Sequence, residues 1–108
     1  MSLYSEYIKE REGYDTVEDD TFFVTFKKLD DALYVRDIYI TPEYRSKGKS
    51  IEIGKLTESI AKEMNCKALL GSVDKGTIGW ERNIDIMLKF GYTQISEDKD
   101  FIQFQKEL

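Results

Sequence analysis

From Arg45 to Ile51 the chain reads Arg-Ser-Lys-Gly-Lys-Ser-Ile. Arg45, Lys47 and Lys49 surround Gly48, just after an apolar run that ends at Ile40 and just before helical periodicity that begins at Ser50. Where a loop turns into a helix, successive backbone N–H groups point outward and the helix start carries a partial positive charge. The chemistry this suits is the holding of phosphate. A glycine at the turn lets an anion approach the backbone, where a side chain would fill the space. A solvated charged loop is the plainer alternative. Gly48-Lys49-Ser50 also spells the end of a nucleotide-hydrolase phosphate loop, but that motif needs a glycine five positions before Gly48. Glu43 stands there, and its charge would repel phosphate.

What is missing narrows the chemistry further. The chain has no histidine, which removes imidazole acid–base work and the Ser-His-Asp and Cys-His machineries. The one cysteine, Cys66, excludes a disulfide framework and a cysteine zinc cluster. It reads as a small buried residue, since no base stands ready to activate it. Trp80 reads as a core residue at a helix start. No metal site is expected.

The elements that position the phosphate turn follow from patterning. Leu3, Tyr4, Tyr7 and Ile8 predict a short helix over residues 3–11, ended near Gly13. Asp15 to Asp20 reads as a solvated turn or edge. Thr21 to Lys28 alternates and predicts a strand; Ala32 to Ile40 predicts a second, paired as a hairpin across Asp30-Asp31. Ser50 to Met64 predicts a helix with Ile53, Leu56, Ile60 and Met64 as its apolar stripe. Lys67 to Val73 predicts a strand buried on both faces. Trp80, Ile84, Met87 and Leu88 define a further helix closed by Gly91, and Tyr92–Ile95 and Phe101–Gln105 the last strands. The strand–helix–strand segment from Ala32 to Val73 implies a right-handed parallel crossover. The expected class is α/β (α+β): a mixed sheet with helices on both faces.

At 108 residues the chain is expected to form a single domain, residues 1–108. With 41% hydrophobic and 34% charged residues it can build an ordinary core. A net charge of −5 argues against nucleic acid and anionic membranes as partners. No apolar run approaches about 18 residues, and the N-terminus has no signal-peptide profile. The expected location is the cytoplasm.

In the order Ile40, Pro42, Arg45, Gly48, Ser50 this sequence resembles the GNAT family of N-acetyltransferases. There a strand ends in Val or Ile, a Pro follows two residues on, then Arg or Gln-x-x-Gly-x-Gly or Ala. Lys89-Phe90-Gly91-Tyr92 is similar to the family's later helix end, and the resemblance covers roughly residues 21–106, closest to short phage- or bacterium-type members. It implies a splayed central sheet and an acetyl-CoA site. Backbone N–H groups of Ser46, Lys47, Gly48, Lys49, Ser50 and Ile51 would hold the pyrophosphate, with Arg45 beside them. Ile38, Tyr39 and Ile40 would pair with the pantetheine arm, which the splay between this strand and Lys67–Val73 would admit. An amine acceptor would arrive from the other side. For the base, the family draws on an acid of this strand, and Asp37 is the only one; Tyr34 stands where some members carry a catalytic acid or His. The resemblance leaves room for a homodimer.

Departures from the family pattern are specific. Ser50 replaces its last Gly or Ala. Lys49 replaces an apolar residue, its stem expected to fold onto the protein. Met87 stands where a general-acid Tyr is usual, and Trp80 where an Asn is. Methionine cannot donate a proton.

Overall fold

A computed structural model describes residues 2–108. In chain order the elements are α1 (Leu3–Glu12), β1 (Asp15–Glu18), β2 (Phe22–Leu29), β3 (Ala32–Ile40), a 3-10 turn (Pro42–Tyr44), α2 (Lys49–Glu63), β4 (Ala68–Asp74), α3 (Trp80–Lys89), β5 (Thr93–Glu97) and β6 (Phe101–Glu107). The strands form one sheet in the order β1-β2-β3-β4-β6-β5. β3 and β4 run parallel, joined through α2 as the crossover requires, and the other neighbours are antiparallel.

Local chemistry accounts for the boundaries. Ser2 caps α1 by accepting from the Ser5 N–H, and Gly13 ends it in the left-handed region at φ 76°. The acidic stretch is not only a turn: Asp15–Glu18 pairs with Glu18↔Phe23 through Asp15↔Phe26. The turn is confined to Asp19–Thr21, where the Asp19 carboxylate accepts from the N–H groups of Thr21 and Phe22.

Partners across a ladder share a face, so register sorts the side chains. Val24, Phe26, Leu33, Val35 and Leu69 lie under Ile53 and Ala61 of α2. Val73, Ile102 and Phe104 lie under Trp80, Ile84 and Met87 of α3, so Trp80 is a core-edge residue at its helix start. Leu69 and Val73 have the same parity along β4, so α2 and α3 share one face of the sheet. α1 lies on the other, its Tyr4 ring 5.3 Å from that of Phe23. Helices do cover both faces.

Two expectations about burial change. The buried line of α2 is Ile53, Thr57 and Ala61, with Leu56, Ile60 and Met64 only flanking it. Thr57 and Ala61 are small, and the Thr57 hydroxyl is satisfied by the Gly54 carbonyl at 2.8 Å. β4 is not buried on both faces. Leu69, Gly71 and Val73 are buried while Ala68, Leu70 and Ser72 are partly exposed, because no helix covers β4 on the side of α1 among the described residues.

Candidate active site

The loop from Arg45 to Gly48 turns into α2 at Gly48. The 3-10 turn hands on to four loop residues, two of which take left-handed backbone: Ser46 at φ 64° and Gly48 at φ 78°. Gly48 caps α2 without any side-chain partner for the helix's first N–H groups. Arg45 N–H reaches the Pro42 carbonyl and Glu52 N–H reaches that of Gly48, both at 3.3 Å. Between them, the N–H groups of Ser46 to Ile51 make no well-formed hydrogen bond with the described chain. Six successive donors therefore have no partner on the described chain, and nothing stands within 4 Å of where a Cβ on Gly48 would be. Free N–H groups at a helix entry are chemically suited to an anion.

The cations have a different task. Arg45 turns back, its Nε donating to the Ile40 carbonyl at 2.8 Å and its guanidinium 5.5 Å from the Tyr39 ring. Lys49 lies 5.2 Å from the Phe22 ring and 3.4 Å from Glu52, its stem folded onto the protein. Lys47 stands 5.9 Å from the Tyr44 ring. Arg45 and Lys49 thus rest on the sheet at either end of the loop.

β3 and β4 pair only from Ala32↔Ala68 to Val35↔Gly71. Beyond that point β3 stays with β2 to Ile40, while β4 stays with β6 to Asp74. The two parallel strands part like a V whose open end lies toward the phosphate turn. Ile38, 51% exposed, and Tyr39, 44% exposed, stand on the parting edge of β3.

One extra residue shapes the other face. Thr25 pairs with Asp37 but Phe26 with Val35, so Arg36 is a bulge. Past the bulge, Asp37 falls opposite Thr25, whose hydroxyl donates to its Oδ2 at 2.9 Å and accepts from its N–H at 3.1 Å. Arg36 binds Glu12 of α1 at 2.5 Å, lies 3.6 Å from Asp37 and sits 5.1 Å from the Tyr14 ring. Tyr34 shares this face, its hydroxyl 2.9 Å from that of Ser72. Asp37 and Tyr34 are therefore brought to one side of the V, opposite α2 and α3. Burial, and then the Asp37 charge, hold the Tyr4 phenol above its ordinary pKa. Burial, and then Tyr34, do the same for Tyr14.

Tyr4, Glu12, Tyr14, Thr25 and Ser72 complete this face and carry no motif. Alternation on β2 marks Thr25 as pointing away from the core, but its partner depends on the bulge.

No family model and no curated protein matches this sequence. Solved structures do match. The PaiA N-acetyltransferase from Thermoplasma acidophilum, in complex with coenzyme A, superposes with a TM-score of 0.77 at 17% identity, over 98% of this chain and 69% of that one. The ribosomal-protein-S18-alanine N-acetyltransferase from Escherichia coli gives 0.72 at 12% identity, over 99% of this chain and 77% of that one. A GNAT-family acetyltransferase from Listeria monocytogenes gives 0.67 at 16% identity over 82% of this chain. This chain has the GNAT acetyltransferase fold. It spans 58% of the length of the Listeria protein. Within the GNAT fold here, the splayed parallel pair and the loop that opens α2 are both present, and α1 is the one helix on the face of Asp37 among the described residues.

Proposed function

We propose that this chain is an acetyl-CoA-dependent N-acetyltransferase acting on a primary amine. The observation that carries the reading is the row of six unpartnered N–H groups, Ser46 to Ile51, at the mouth of the parted β3 and β4. The turn would bind the pyrophosphate and the parting edge of β3 from Ile38 to Ile40 would take the arm. The Ile40 carbonyl already accepts from Arg45, so Ile38 and Tyr39 would supply most of that pairing. Bound acetyl-CoA supplies an activated acyl carbon. The chain's own residues supply position: the V fixes the line of approach, and the face of Tyr34 and Asp37 receives the acceptor. Asp37 is the acid nearest the opening on that face, placed to take a proton from an ammonium group, with Thr25 and Arg36 fixing its orientation.

The test is titration calorimetry with acetyl-CoA, followed by thiol release with a panel of amines. Binding in the range of about 1 μM–1 mM and amine-dependent release are expected. No heat at millimolar acetyl-CoA overturns the reading. A second reading, a domain that binds acyl-CoA without useful turnover, is favoured by Met87, which lies over Gly71 where the strands part and cannot donate a proton. Binding without release under any amine supports it.

A further inference from the structure

We propose that the Ser72 hydroxyl, hydrogen-bonded to Tyr34 across the parting strands, is the proton donor to the departing sulfur. The proposal rests on the acetyl-CoA reading above and adds a group to it. The last residues to pair are Val35 and Gly71. What lies on each side of that point decides what a leaving atom would meet. On the side of α3, the terminal methyl of Met87 covers Gly71, and a thioether has no proton to give. Tyr92 also borders Gly71 there, but burial and then the Glu58 charge push its phenol up to about 12, which makes it a reluctant donor.

On the side of Tyr34 the surroundings are polar. Ser72 is the first residue of β4 past the last pair, level with Arg36 and Asp37 of β3, and it is partly exposed. Its Oγ lies 2.9 Å from the Tyr34 hydroxyl. The arm of CoA contains two amide units and spans roughly four to five residues of extended chain at about 3.3–3.6 Å each. Laid from the phosphate turn along β3, it ends near Asp37 and Ile38, next to Ser72. Asp37 is unsuited to this task, since an ionised carboxylate only accepts.

The proton balance closes with these groups. The carbon–sulfur bond breaks and its electron pair stays on sulfur. Sulfur takes the Ser72 proton, Ser72 takes that of Tyr34, and solvent returns to Tyr34 the proton shed by the amine. A serine hydroxyl alone is a weak acid. Its link to the Tyr34 phenol lets the charge left on Ser72 pass to an aromatic oxygen, which spreads it over the ring.

The test reads ionisation of the bound thiol and needs no acceptor. Free-thiol CoA is bound to the wild type and to Ser72→Ala, Ser72→Thr and Tyr34→Phe, with binding measured by calorimetry. The thiolate absorbance is then followed against pH. A donor at the sulfur favours the thiolate. The thiol of bound CoA should therefore ionise roughly one to two pH units lower in the wild type than in Ser72→Ala, the effect of one hydrogen bond to a charged group. Ser72→Thr should keep the wild-type midpoint and Tyr34→Phe should fall between. CoA that binds all variants and ionises alike in wild type and Ser72→Ala overturns the assignment of Ser72 and leaves the acetyl-CoA reading standing. Absence of CoA binding to the wild type overturns both.

Discussion

Met87 lays its terminal methyl on Gly71, so closely that a Cβ built on the glycine would stand 2.7 Å from it. The contact joins the last turn of α3 to β4 at the point where β3 departs. Gly71→Ala meets only the far end of a flexible, partly exposed methionine, which can turn aside, so the change should destabilise by less than about 1 kcal/mol. In a Met87→Ala background the obstacle is gone and that small cost should vanish. Denaturant unfolding of the four proteins of the cycle measures this coupling. Equal cost in both backgrounds would show that the methyl does not constrain position 71.

Gly54 offers the opposite case. It lies inside α2 with ordinary helical geometry, and an added Cβ would meet the Phe90 ring at 3.7 Å, a normal contact. Gly54→Ala should stabilise by roughly 0.5–1 kcal/mol through helix propensity. A higher denaturant midpoint at unchanged slope is the expected result.

At Gly48 the penalty is conformational and electrostatic. Its φ of 78° strains any side chain, although the space in front is empty. Gly48→Asn tolerates that backbone best and should retain most CoA binding. Gly48→Glu places a negative charge on the anion site and should abolish binding at millimolar CoA while the domain stays folded. Arg45→Ala loosens the loop from Ile40 and Tyr39 and should weaken binding less than Gly48→Glu. Calorimetry on the three variants checks the order.

Tyr92 sets a limit on alkaline stability. Its phenol is pushed up to about 12 in the folded chain, by burial first and Glu58 second, against 10 unfolded. Between those values the unfolded chain binds fewer protons, so stability falls as pH rises. The contribution is complete below about pH 10 and lost progressively toward pH 12, at up to about 1.4 kcal/mol per pH unit. Tyr92→Phe should flatten this slope. A pH series of chemical denaturation, compared with the wild type, gives the difference directly.

Sequence alone determined the parts whose physics is local. Gly48 among cations pointed to a turn that opens a helix, because a left-handed residue and the free N–H groups after it are properties of a few consecutive residues. The hairpin, the crossover and the helices followed from periodicities of two and about 3.6 residues. Register was not local. Counting outward from Asp30-Asp31 gives Leu29↔Ala32 through Phe26↔Val35, and an even count would then put Thr25 opposite Arg36. The bulge puts it opposite Asp37, and one extra residue turns every later side chain to the other face. Only the tertiary structure could join Tyr34 to Ser72, 38 residues apart, or Arg36 to Glu12, 24 residues apart. Only it could show that Arg45 and Lys49 fold back onto the sheet and brace the loop. A charge in a loop has no preferred direction until the ring or carbonyl it can rest on, here those of Tyr39, Ile40 and Phe22, has been brought beside it by the sheet.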